Sequence, residues 1–147
     1  LSSLSRRLAD WAAQLDHGQL PEPVLDRTRA VLLQGLSSLL VGRGFPEATS
    51  ALALMQEEGS IGHCSVLATS VKLARGDAAF VNAETMLAGG KWDTFRMVTH
   101  PGCAVLPAAI AAAESVGASG RCLLAGVVAG YEVMLRMAAD FVPSVMA

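Results

Sequence analysis

Charge is sparse in this chain: Lys, Arg, Asp and Glu make up 16% of its 147 residues, and the formal net charge is −2. There is no basic block and no Lys/Arg stripe interleaved with aromatics, which argues against nucleic acid as a partner. Cysteine is equally thin. Cys64, Cys103 and Cys122 are widely spaced, odd in number and free of any CxxC or paired Cys/His pattern. Neither a disulfide framework nor a metal site is indicated, and a reducing, cytoplasmic compartment fits that usage best. No signal peptide is expected, since the first segment is amphipathic and carries Arg6, Arg7 and Asp10. Uninterrupted apolar runs are short. The longest candidate, residues 122–139, is broken by Glu132 and Arg136, so it reads as a buried helix and no membrane is expected as a partner.

What the chain does have is apolar bulk, 52% of its residues, enough for one domain, residues 1–147, with a real core. Leu4, Leu8, Trp11, Ala12 and Leu15 recur at helical spacing, and that helix stops near Gly18. Pro21 and Pro23 open a second helix, because proline is tolerated in a first turn. Its expected inner face carries Val24, Thr28, Val31, Leu32, Leu39 and Leu40, and "VGRGFP" ends it. A third helix is predicted from about Glu47 to Glu58, with Ala48, Ala51, Leu52 and Met55 inward. "CSVLATSVKLA" alternates briefly, which predicts a hairpin of two very short strands. Asp77 is placed to cap the next helix, which must end at the Gly89-Gly90 pair. Two final helices, the second capped by Ser119 and running from Arg121 to about Ala139, should pair across "GASG", with Met134 and Met137 in the core. The fold class is mainly α: a multi-helix, bundle-like domain with at most a short β-hairpin.

Polar chemistry concentrates in one loop, "GGKWDTFRMVTHPG", residues 89–102. His100 is the strongest candidate there, because Pro101 and Gly102 fix the backbone around it and imidazole exchanges protons near neutral pH. Thr94 lies six residues upstream, with Asp93 beside it, and the three are the candidate catalytic residues. Lys91 and Arg96 flank these groups and could clamp a carboxylate or phosphate. His17 and His63 sit at turns and read as surface residues. "AGGK" lacks the glycine spacing and the following Ser/Thr of a phosphate-binding loop. Glu114, Glu132 and Asp140 are isolated on helices, so no carboxylate pair emerges. The apolar ending "DFVPSVMA" suits a chain that continues or meets a partner.

Taken in order, "LADWAAQL", "RTRAVLLQGLSSLLVG", "SVLATSVKLARGDAAFVNA" and "THPGCAVLPAAIAAAESVGASGRCLLAGVVAGYEVMLRM" resemble the N-terminal helical part of the MmgE/PrpD family, which includes 2-methylcitrate dehydratase and cis-aconitate decarboxylase. The resemblance implies a lyase that needs neither metal nor organic cofactor and removes water or carbon dioxide from small di- and tricarboxylates. Family members are much longer, add an α+β lid domain that this chain lacks, and usually form homodimers. By resemblance, His100 takes part in proton transfer and Thr94 donates a hydrogen bond, while further lysines and a histidine would come from another segment or subunit. The family motif reads like Asp-Phe-Asp-Asp-Thr before the histidine. Here Asp93 and Thr94 are kept, whereas Gly90 and Trp92 stand at two acidic positions and Leu87 at an upstream histidine. Those departures leave two alternatives open: a non-catalytic structural or dimerisation subunit, or the same scaffold with altered chemistry.

Overall fold

Ser3 starts the first helix, α1 (Leu4–Gln14), by accepting the Arg6 N–H on its hydroxyl at 3.2 Å. In this computed structural model, residues 2–95 and 99–146 are described, the side chains of 140–146 excepted. Arg96 and the Asp140 side chain, both singled out in the sequence, lie outside the described residues. Helix α1 has the expected apolar spacing, yet none of its residues is buried and Leu4 is 79% exposed. It is followed by a 3-10 turn at His17–Gln19, closed by a capping box between Asp16 and Gln19.

Pro23 sits in the first turn of α2 (Glu22–Gly42), as expected. The buried stripe of α2 is Leu25, Thr28, Gly35, Ser38, Leu39 and Gly42. Val24 and Leu40, expected inward, are exposed. For Leu40 the reason lies in α4 (Arg75–Ala88), which crosses α2 so tightly that the shared stripe needs small residues. A methyl group on Gly42 would lie 1.8 Å from the Thr85 carbonyl oxygen, and one on Gly89 would lie 1.9 Å from the Ser38 carbonyl oxygen. Two backbones in contact leave no room for leucine, so Leu40 turns to the outside.

Helix α3 (Pro46–Glu57) buries Ala48 and Ala51. Strands β1 (Cys64–Ser65) and β2 (Lys72–Leu73) then form the predicted antiparallel hairpin, with Cys64 opposite Leu73 and Ser65 opposite Lys72. Too short to hold itself together, the hairpin is strapped by side chains. Asn82, on α4 and fully buried, accepts the Leu67 N–H at 2.8 Å and donates to the Ser65 carbonyl at 2.9 Å. Glu114, on α5 (Pro101–Ser115), accepts the Ser65 amide at 2.7 Å and the Ser65 hydroxyl.

Partial burial opposes the charge on Glu114, but the Ser65 hydrogen bonds and the Lys72 ammonium outweigh it and hold the carboxyl below its ordinary range. A depressed folded-state value means a stabilising contribution that is full above the unfolded carboxylate pKa, about 4.3. That contribution disappears as the pH falls through the folded value. Glu114→Gln should therefore melt below the wild type near neutrality, and the two melting temperatures should converge as the medium is acidified. The gap is expected to be small, because the pair is solvent-screened. A constant gap at every pH would remove this account.

Asp77 does not cap α4. Ala74 occupies that position without a side-chain bond, and Asp77 lies inside the first turn, accepting the Ser60 hydroxyl at 2.6 Å. A carboxylate there still suits the positive end of the helix dipole. Ser119 does cap α6 (Gly120–Met146), accepting the Cys122 N–H at 3.3 Å. Helix α6 continues past the expected end near Ala139, and it packs on α5 where Gly130 admits Val105, 2.6 Å from where a methyl would sit.

The expectation of a buried final helix needs correcting. Through Ala139, α6 buries only Ala125, Val127 and Val128, and Met137 is 70% exposed instead of in the core. Helix α1, itself without a buried residue, meets that end of α6, where Arg136 lies over the Trp11 ring. By length and composition Gly120–Ala139 is apolar enough to cross a membrane.

Two apolar clusters result. One gathers Ala51, Cys64, Val66, Leu73, Ala78 and Val81 beneath the hairpin, joined by Ala111. The other gathers Leu39, Met86, Leu106 and Val127, from α2, α4, α5 and α6. Ser38 ties the second cluster to the polar loop. Its buried hydroxyl donates to the Met86 carbonyl at 2.7 Å and accepts the Lys91 N–H at 3.1 Å. Ser38→Ala should cost about 1–2 kcal/mol, because the Lys91 N–H loses its partner, read as a lowered denaturant midpoint with the slope unchanged.

Candidate functional site

The polar loop leaves α4 through Gly89 and Gly90. Gly90 has φ +68°, a left-handed conformation that ends the helix and that a side chain would strain. This is a local physical reason for glycine where the family motif has an acid. Trp92 follows, and its indole N–H donates to the Leu87 carbonyl at 2.7 Å. The same carbonyl also accepts the Gly90 N–H at 3.1 Å, so helix end and indole share one acceptor.

A two-bond bridge then folds the loop on itself: the Phe95 N–H donates to the Thr99 carbonyl at 2.8 Å, and the Thr99 N–H donates back at 3.2 Å. The bridge explains the six-residue spacing, for it sets the residues on either side, Thr94 and His100, next to each other. The Thr94 hydroxyl lies 3.4 Å from His100 Nδ1. His100 is half-buried at the N-terminal end of α5, where Pro101 takes the first helical position.

His100 Nδ1 lies 2.9 Å from the backbone carbonyl oxygen of Asp93. A carbonyl can only accept, so this contact places a proton on Nδ1 and gives the neutral ring's lone pair to Nε2. The Trp92 ring lies against the imidazole, centroids 4.8 Å apart and planes tilted by 50°. Histidine, threonine and the Asp93 main chain thus converge.

The Asp93 side chain does something else. It points at the start of α5, where Oδ1 accepts the Gly102 N–H at 2.9 Å and Oδ2 accepts the Tyr131 hydroxyl at 2.6 Å. Burial, then the hydrogen bond to Asp93, push the Tyr131 phenol far above its ordinary range, so it stays a donor. Burial, followed by the charge of Asp93, also raises the Cys103 thiol, which keeps it protonated and a poor nucleophile. Sequence reasoning missed Tyr131. The available signal was a lone tyrosine in an apolar helix, whose hydroxyl must find a partner once buried.

Lys91 is held by its backbone, with its N–H on Ser38 and its carbonyl accepting from Gln34 Nε2 at 3.3 Å, and the residue is exposed. The crevice between this loop and α2, walled by Lys91, Trp92, Asp93 and Cys103, has a volume of about 10 Å³, room for one water molecule. A larger apolar groove of about 310 Å³ runs between α2 and α6, walled by Val24, Arg27, Val31, Val127, Tyr131 and Leu135. His100 is not among its walls. Among the described residues, no three His, Cys, Asp or Glu side chains converge where an ion could be held.

No solved structure matches the chain. Among curated proteins it is 27% identical over 141 residues to a cis-aconitate decarboxylase-like protein of Aspergillus oryzae, covering 95% of this chain and 28% of that protein. It is 25% identical over 142 residues to a cis-aconitate decarboxylase of Aspergillus terreus, with the same coverages of 95% and 28%. The chain thus spans little more than a quarter of the length of these relatives. The MmgE/PrpD N-terminal domain matches residues 6–145, nearly the whole sequence with the polar loop inside it, and the chain belongs to the MmgE/PrpD family.

Proposed function

We propose that this chain is the helical part of a cofactor-independent lyase acting on a small di- or tricarboxylate, and that His100 is its proton-transfer group. The observation carrying this reading is the bond from His100 Nδ1–H to the Asp93 carbonyl at 2.9 Å, which leaves Nε2 as a base on a half-buried ring. In a dehydration, Nε2 takes the proton from the carbon beside a carboxylate, and the electron pair expels the hydroxyl, which leaves as water after gaining a proton. In a decarboxylation, the pair left on carbon as carbon dioxide departs takes a proton from the imidazolium. The Thr94 hydroxyl, 3.4 Å from the ring, is placed to hydrogen-bond a substrate oxygen. Lys91 and Arg96 supply positive charge for the carboxylates.

The crevice beside the loop holds only about 10 Å³, too little for a tricarboxylate, which favours a site completed by another segment or a second subunit. A cytoplasmic homodimer acting on a small carboxylate, without nucleic acid or membrane, suits this reading. The names of the Aspergillus relatives make cis-aconitate the first substrate to try, with 2-methylcitrate second. The test is turnover of each by the full polypeptide that carries this chain. Formation of itaconate, or of the dehydrated product, is expected.

A second reading is favoured by Gly90 and Trp92. Glycine at φ +68° supplies no carboxylate, and the tryptophan lies against the imidazole. On that reading the scaffold serves a structural role or takes a different ligand. Absence of turnover with both acids, in a folded and complete protein, would select it.

A further inference from the structure

We propose that Tyr131 is a positioning residue: acting through the Asp93 carboxylate, it holds the His100 ring in the tautomer that carries its proton on Nδ1. The phenol lies 38 positions from its partner in sequence. The proposal rests, for its catalytic part, on the reading of His100 as the proton-transfer group.

One residue, Asp93, does two jobs. The Asp93 side chain is fixed at both oxygens, by the Gly102 N–H on α5 and by the Tyr131 hydroxyl on α6. The Asp93 main-chain carbonyl is the acceptor for His100 Nδ1. With its carboxylate clamped between two helices, Asp93 cannot turn its peptide away from the imidazole. Free imidazole side chains favour the opposite tautomer, with the proton on Nε2, so holding it on Nδ1 requires a fixed acceptor.

Gly102 completes the device. A methyl group there would lie 2.7 Å from Asp93 Oδ1 and 2.9 Å from the Tyr131 hydroxyl. Only a glycine lets carboxylate and phenol close on the helix start together. Both oxygens of Asp93 are engaged away from the ring, so its carboxylate acts here as an anchor and not as an acid or base.

The test is nitrogen NMR of the full protein with labelled histidines at about pH 8, above the imidazole range, with the His100 signals identified by their loss in His100→Gln. The wild type should show His100 with Nδ1 protonated. In Tyr131→Phe the ratio of the Nδ1–H to the Nε2–H form should fall about tenfold, the scale of one charge-assisted hydrogen bond. Gly102→Ala should give the same shift by forcing the clamp open, with the tyrosine still present. Where turnover is measurable, kcat of Tyr131→Phe should fall about tenfold with KM little changed, because substrate binding is untouched.

A wild-type ring protonated on Nε2, or the same tautomer ratio in both variants as in the wild type, overturns the proposal. A folded protein with no turnover overturns the lyase reading instead, and the tautomer shift alone then decides this one.

Discussion

With His100 as the proposed proton-transfer group, replacing it by alanine should lower kcat of the full polypeptide by about 10²–10⁴-fold, the usual contribution of a positioned general acid or base. KM should change little, because the proton moves only in the transition state. The fold should survive the change. His100 is only half-buried, Pro101 still opens α5, and the clamp of Asp93 by Gly102 and Tyr131 does not involve the imidazole. Circular dichroism and melting of the variant serve as the control. Unchanged turnover in a folded His100→Ala protein would leave the loop without its chemical role.

Gly42→Ala is expected to be the most damaging single methyl addition to stability. The new carbon would sit 1.8 Å from the Thr85 carbonyl oxygen and 2.8 Å from the Gly89 nitrogen. Both are backbone atoms, so no side chain can rotate aside. The helices must separate by more than an ångström, which opens the cluster of Leu39, Met86 and Leu106. The cost should exceed the usual overpacking penalty of about 3 kcal/mol, or about 6–12 °C in melting temperature for a chain of this size. Gly44→Ala is the matched control. Its methyl would be 3.9 Å from the nearest carbonyl, and a change within about 0.5 kcal/mol is expected there. Equal melting of the two variants would mean that α2 and α4 do not cross backbone to backbone.

The same crossing bears on the site. Ser38 and Gly42 on α2 receive Gly89 and the Lys91 N–H at the exit of α4, so the loop leaves the helix at a fixed point. Its six-residue return from Thr94 to His100 is then set by the Phe95–Thr99 bridge. The family resemblance placed these two residues in one site. It could not indicate that Asp93 serves His100 with its main chain while its carboxylate faces α5 and α6.

Local rules were sufficient for much of this protein. Proline in the first turn of α2, Ser119 ahead of α6, the paired glycines after α4 and the brief alternation of the hairpin all depend on residues within a few positions of each other. Such preferences are readable without knowing the neighbours. The inner face of α2, the exposure of Met137 and the partner of Tyr131 were settled only in three dimensions. Each depends on a contact between elements far apart in the chain, and hydrophobicity tells how much a residue gains by burial but not which helix arrives to bury it.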